Sequence, residues 1–469
     1  MCARPKLAAA GASSEIGRGR RAWRGEPGLW CTRARCREAV DVDTRMRAHL
    51  RAGDRTDTVQ AVQTPCPPYG VKDPAPNAGI RQTSRVSVLA TPPVASRRRY
   101  EVEALRGVAA LAVLVSHCWG IGHGYSPDVF GTVIGRLGLA GGQGLALFFA
   151  LSGYLLTRPL LAGRAGGRIE LRRYFRHRAA RILPTWWFVV AFMLWLHPDQ
   201  VPERDWWRFP LLIQGFWPGT TIRVDGPAWS LAVEAQFYLL LPVLGLVLRR
   251  YQHLALSVVA GLAVVSTTLT LATITYGAPG LVWQYSLPAN LVYFTPGMLL
   301  AVLEVETTLV SALRRCRHVR SGLLLLSLPG WLAYVVEPRF ALLSAVASGL
   351  TVAAVGLPLG EDSVVRVLRH RALVVLGTLS FGVYLWHEPV VRLLREHGTQ
   401  GSLALLMATL PITALLATGS YLLVERPCLR LRDASRQDLC RSLRQGNDAR
   451  NAVMGAAVML AVGLLALVT

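Results

Sequence analysis

The chain has 469 residues, of which 52% are hydrophobic and only 17% charged, a balance too apolar for a water-soluble enzyme of this length. Its formal charge of +23 would suit a nucleic-acid binder if the basic residues formed one soluble face or tail; they fall instead between apolar runs, which sets nucleic acid aside as a partner.

Residues 1 to about 97 are rich in Arg, Ala, Gly, Pro and Thr and end in "TPPVASRRRY". They carry no sustained apolar periodicity and are expected to form a disordered cytoplasmic N-terminus. No short apolar core with a small-residue cleavage site precedes the first long apolar run, so that run is expected to direct insertion itself. The eight cysteines show neither metal-ligand nor disulfide-framework spacing.

From Leu105 onward, apolar runs long enough to cross a bilayer alternate with short polar links. Spans are expected at about 105–123, 139–157, 182–197, 228–248, 254–274, 288–303, 322–336, 340–358, 373–394, 402–424 and 452–468. The expected fold is therefore all-α and polytopic, with about ten core transmembrane helices and one appended C-terminal helix. Residues 98–427 form the membrane domain, and 428–469 a basic cytoplasmic link with the extra helix.

Arginine placement sets the orientation, because cytoplasmic loops carry the excess positive charge. "SRRRYEVEALR" puts the N-terminus inside, and "RPLLAGRAGGRIELRRYFRHRAAR" falls inside as well. The link at 198–226, with its balanced charges, falls outside. The location this implies is a multi-pass protein of the plasma membrane.

Within these spans, "RGVAALAVLVSHCWG" sets Arg106 and His117 eleven positions apart, about 16 Å along a helix. The arginine then lies at the cytoplasmic rim and the imidazole roughly mid-membrane. An ionisable group in the membrane marks a functional path by default; the bland alternative is a neutral histidine bonded to a neighbouring helix. "GPAWSLAVEAQFYLLLP" carries Glu234 about two turns below the outer face, where it could pair with an imidazole or an arginine, or hold Trp229 and Ser230 in place.

"LSFGVYLWHEPVV" places His387 in the outer half of the ninth span, where Pro389 is expected to disrupt the helix. Tyr384 and Trp386 suit an interfacial belt. Arg172, Arg173, Arg176, Arg178 and Arg181 precede the third span with Tyr174; such a cluster binds lipid headgroups, fixes topology, or recognises a phosphorylated ligand through forked hydrogen bonds. Ser152, in "SGY", lacks the glycine-flanked elbow of a serine hydrolase. Neither a phosphate-binding loop, nor a dinucleotide fingerprint, nor a zinc motif is present, so an enzyme reading rests on histidine, glutamate and arginine. The competing class is a transporter or a flippase of lipid-linked saccharide, which often shows internal repeats; none is evident between the chain halves.

Six pieces occurring in order, "EALRGVAALAVLVSH", "LFFALSGYLL", "YFRHRAARILPTWW", "PAWSLAVEAQFYLLLP", "LSFGVYLWHEPVV" and "YLLVERP", resemble the acyltransferase-3 family of integral-membrane O-acyltransferases over residues 100–427. The resemblance implies a ten-helix enzyme that takes an acyl group from cytoplasmic acyl-coenzyme A, with acetyl-CoA the leading donor and no metal. It delivers the group to a hydroxyl of an extracytoplasmic acceptor, a carbohydrate or glycosylated small molecule. It further implies function for Arg106 and His117 and, as the arginine pair opening the third helix, for Arg178 and Arg181. Glu103 stands where aspartate is frequent, and Ala235 where a second acid is common, leaving Glu234 as that motif's carboxylate.

On this basis His117 is expected to be the general base, with Glu234 orienting or supporting it. Arg106, Arg178 and Arg181 would hold the donor phosphates, and Glu103, Ser152, Trp229, Ser230, Tyr384 and His387 would surround the site. The soluble hydrolase-like extension found in some members is not seen, so the acceptor is expected to reach the membrane site itself.

Overall fold

The computed structural model describes residues 100–126, 131–162, 170–276 and 281–433. The expectations for 1–97 and for the appended helix at 452–468 lie outside the described residues. Among the described residues every regular element is helical, and ten helices are long and apolar enough to cross a membrane. Their α-helical parts are α1 (Tyr100–Gly122), α2 (Gly144–Ala162), α3 (Leu171–Leu196), α4 (Trp229–Arg250), α5 (Ala255–Tyr276), α6 (Leu287–Glu306), α7 (Val319–Val336), α8 (Leu343–Gly356), α9 (Arg371–Glu396) and α10 (Ser402–Ser420), and the eighth span reaches its length with the 3-10 turn Pro338–Leu342 ahead of α8. The protein is an all-α, multi-pass membrane protein, as its apolar runs predict.

The longest described link, between α3 and α4, is an irregular segment of 3-10 turns. One end of the bundle gathers Arg172, Arg173, Arg249, Arg250, Arg314 and Arg315; the other carries the irregular segment with Trp206, Trp207 and Trp217. Burial sorts the helices. The apolar windows of α6 and α9 are 67% buried, against 17% for α5 and 22% for α7, so α6 and α9 are central and α5 and α7 peripheral. Leu239, Leu246, Val264, Leu325, Leu403 and Leu415 are exposed, as suits side chains solvated by lipid tails. The main core packs Trp186, Phe237, Phe294 and Trp386 between α3, α4, α6 and α9.

The contact that positions the site is between α1 and α9, which run parallel. A Cβ on Gly107 would lie 2.6 Å from the Gly377 nitrogen, and one on Gly377 would collide with the Glu103 carbonyl. Only glycine permits so close a backbone approach, the recurrent device of helix pairs in lipid. At the arginine-rich end, Arg369 pairs with both Glu101 and Glu361. Nearby, buried Arg320 donates to the Ala354 and Gly360 carbonyls and pairs with Asp362.

Three details depart from the sequence expectations. First, α3 begins at Leu171, so Arg172 to Arg181 form its opening turns rather than a link; arginine is a good helix former although it interrupts a hydropathy run. Second, α9 continues through Pro389 to Glu396, since packed membrane helices tolerate an internal proline. Third, Tyr384 and Trp386 are 8% and 1% exposed; they are core residues, not an interfacial belt.

Candidate active site

Two cavities approach one another inside the bundle. The larger, about 620 Å³, is lined by His117, Trp229, Tyr285, Glu388 and Arg392 among others, near the tryptophan-rich end. The smaller, about 40 Å³, is lined by Arg106, Phe148, Ser230, Glu234 and Ser380. Leu145 and Tyr384 line both and so form the wall between them. The Tyr384 hydroxyl donates to the Pro227 carbonyl at 2.9 Å and lies 2.6 Å from the Ser230 hydroxyl, which itself donates to Pro227 at 3.0 Å. The middle of α9, the first turn of α4 and the turn before it thus meet at one hydroxyl pair.

On the large-cavity side, the His117 Nδ1 lies 3.0 Å from the Val113 carbonyl and 3.3 Å from His387 Nε2. The rings meet edge to face, with centroids 4.9 Å apart. His387 is fully buried, and its Nδ1 lies 2.7 Å from the Tyr384 carbonyl. His117 is five residues from the end of α1, in the third of the helix farthest from Arg106. Because α1 starts at Tyr100 rather than near 105, the ring stands nearer the end of the helix than its middle. Trp229 packs against Tyr285 at 4.6 Å between centroids and gives this cavity an aromatic side.

Glu388 and Arg392, one turn apart on α9, form an ion pair facing the same cavity. One Glu388 oxygen is buried without a hydrogen-bond partner, as are both oxygens of Asp225. Asp225 is 1% exposed and follows Val224, a β-branched residue held at φ 69°, a conformation costing on the order of 1–3 kcal/mol. Burial raises the Asp225 carboxyl well above the ordinary carboxylate range; the Glu388 charge adds to this and Arg392 opposes it.

On the small-cavity side, Glu234 accepts from the Ser152 hydroxyl at 2.5 Å and from the Tyr238 hydroxyl at 2.6 Å. It stands among guanidinium groups: Arg106 and Arg178 both feel its charge. The hydrogen bonds of Glu234 to Ser152 and Tyr238 are therefore on the arginine side of the wall, and none of them reaches the His117 ring it was expected to orient. Arg106 lies over the Phe148 ring, and Arg178 over Tyr174 and Tyr238. The Nε atoms of Arg106 and Arg178 are buried without a protein partner. Arg181 is close enough to Arg106 to repel it, and the buried Glu425 carboxyl lies near both.

Glu103 lies one turn before Arg106, its carbonyl against Gly377. The residues named from the sequence thus divide into two groups. His117, His387, Trp229 and Tyr384 line or adjoin the large cavity. Arg106, Arg178, Arg181, Glu234 and Ser152 gather behind the wall, where Ser230 bonds to Tyr384.

Sequence reasoning passed over Asp225, Glu388, Arg392, Tyr238 and Glu425. Glu388 and Glu425 sit inside quoted stretches, "LSFGVYLWHEPVV" and "YLLVERP", and a buried-acid search of those stretches would have found both. Asp225 lies in an irregular segment and gives no comparable signal. Among the described residues no group of three metal-ligating side chains occurs.

A family model described as an acyltransferase domain matches residues 99–425. Acyltransferase MdmB of Streptomyces mycarofaciens is 28% identical over 378 residues, which covers 70% of this chain and 90% of that protein. Peptidoglycan O-acetyltransferase OatA of Listeria monocytogenes is 24% identical over 371 residues, 70% of this chain and 56% of OatA. O-acetyltransferase OatA of Staphylococcus aureus strain NCTC 8325 is 25% identical over 340 residues, 64% of this chain and 55% of that protein. The chain thus spans just over half the length of the OatA relatives. No solved structure matches it.

Proposed function

The chain belongs to the acyltransferase family whose domain it matches over residues 99–425, and from that premise we propose that it is a membrane O-acyltransferase using a cytoplasmic acyl-CoA donor, acetyl-CoA first. The acceptor is a hydroxyl on a carbohydrate or a glycosylated small molecule at the extracytoplasmic side. In this reading residues 98–427 are the catalytic domain, the protein resides in the plasma membrane, and the arginine-rich end faces the cytoplasm, consistent with the positive-inside rule. The OatA relatives, one of them a peptidoglycan O-acetyltransferase, support a carbohydrate acceptor.

The observation that carries the proposal is the pair of cavities sharing Leu145 and Tyr384, with guanidiniums behind the wall and an imidazole in front of it. Arg106 and Arg178 offer buried, unpaired N–H groups, suited to the donor's phosphate oxygens, with Arg181 adding charge. Glu234, fixed by Ser152 and Tyr238, offsets the repulsion of the arginines for one another. The acyl carbon reaches the acceptor where Tyr384 and Ser230 meet, which requires that contact to open. His117 takes the acceptor hydroxyl's proton as the oxygen attacks the thioester carbon. The C–S bond breaks, the C–O ester bond forms, and the proton passes from His117 to the departing CoA sulfur.

Purified protein incubated with acetyl-CoA and candidate carbohydrates tests this. The expected result is thiol release that depends on the acceptor, with one acetyl mass increment on the product. Binding and translocation of a saccharide with no thioester consumed would support the transporter reading instead.

A further inference from the structure

We propose that His387 is a positioning residue that holds His117 in one tautomer, so that His117 presents a bare Nε2 to the acceptor hydroxyl. This rests on the reading of His117 as the base, and it assigns the atom and the device that fixes it.

The hydrogen-bond chain leaves one arrangement of protons. The Tyr384 carbonyl can only accept, so the His387 Nδ1, 2.7 Å away, carries the proton. A neutral imidazole protonated at Nδ1 is bare at Nε2. The His117 Nδ1 then faces two acceptors, this nitrogen at 3.3 Å and the Val113 carbonyl at 3.0 Å, and must be the donor. The second nitrogen of His117 is left unprotonated in a ring that lines the large cavity.

Packing locks the choice in place. The edge-to-face contact with His387 resists a ring flip of His117, and His387 is fully enclosed. The Gly107–Gly377 approach brings the two helices close enough for the ring nitrogens to meet. The second imidazole thus takes the part that a carboxylate or carbonyl plays behind other histidines, fixing tautomer and orientation through the far nitrogen. When His117 Nε2 accepts the hydroxyl proton, the Nδ1–H bond to His387 persists and shares the new positive charge. The same Nε2–H then protonates the CoA sulfur.

The test uses the full-length protein. His387→Phe keeps a ring without a nitrogen acceptor, and His387→Gln restores an amide oxygen. His387→Phe is expected to lower kcat about 100-fold while leaving the acetyl-CoA KM within about twofold, and His387→Gln to recover about tenfold of the loss. Nitrogen-15 spectra of histidine-labelled protein, with the His117 signals identified by His117→Asn, are expected to show Nδ1 protonated and Nε2 bare in the parent. In His387→Phe, where Nδ1 keeps the Val113 carbonyl as its one acceptor, an Nε2-protonated population is expected to appear beside the Nδ1-protonated one.

A parent His117 protonated at Nε2, or parent kcat in His387→Phe, overturns the proposal. If His387→Phe fails to fold, the parent spectrum decides alone. Parent-level transfer by His117→Ala would instead remove the base reading itself, whatever the tautomer.

Discussion

Gly107 and Gly377 touch backbone to backbone, and they are 270 positions apart, the same separation as His117 and His387. One glycine contact therefore sets the register of two parallel helices and, about three turns further on, the meeting of two imidazoles. Adding a methyl group at Gly377 forces the helices apart. Gly377→Ala is expected to destabilise the protein by about 1–3 kcal/mol and to reduce turnover per folded molecule. Heating followed by fluorescence-detected gel filtration, combined with an acetyl-transfer assay, checks both; parent values in each would show that the register does not depend on this contact.

Arg106 and Arg178 each bury an Nε without a partner, a costly state unless a ligand completes it. Arg106→Lys and Arg178→Lys keep the charge and remove the fork. Each is expected to raise the acetyl-CoA KM about tenfold to a hundredfold. Steady-state kinetics with acetyl-pantetheine, which lacks the nucleotide phosphates, are expected to show a much smaller difference from the parent. Equal penalties on both donors would place these arginines elsewhere than on phosphate.

The legibility of this chain follows the range of the interactions. Ten helices could be read from hydropathy because each span satisfies its own backbone and needs only local apolar length. The α1–α9 pairing could not, since nothing near Gly107 in the sequence specifies Gly377. The apolar run begins about three turns after the start of α3, because Arg172 to Arg181 break it while remaining helical. Arg106 and His117 stood out as charges in lipid, but which wall separates them depends on Tyr384 and Leu145, brought in from other helices. Glu234 carried an open choice between imidazole and arginine, and its surroundings are arginine. Asp225 was invisible: it sits in the irregular segment before α4, where no periodicity marks a buried position.

Asp225 gives the bundle a pH dependence of its own. Its carboxyl is raised by burial, with Glu388 adding and Arg392 opposing. The folded state therefore binds a proton that the unfolded chain, with an ordinary carboxylate, has already released. Stability from this group is full below the ordinary Asp range and is lost as pH rises toward the elevated native value. Asp225→Asn, which mimics the protonated form, is expected to raise the thermal midpoint at neutral and alkaline pH and to leave it unchanged near pH 4. Midpoints that follow the parent at every pH would show that Asp225 is ionised in the fold.

The most direct measurement is single-turnover acetyl transfer by the parent and His117→Ala, each reconstituted in lipid vesicles with labelled acetyl-CoA and an acceptor already shown to be modified. His117→Ala is expected to bind the donor like the parent, through the untouched arginine cluster, and to form product at least about a hundredfold more slowly. Product formation at the parent rate by His117→Ala would contradict the account at its centre.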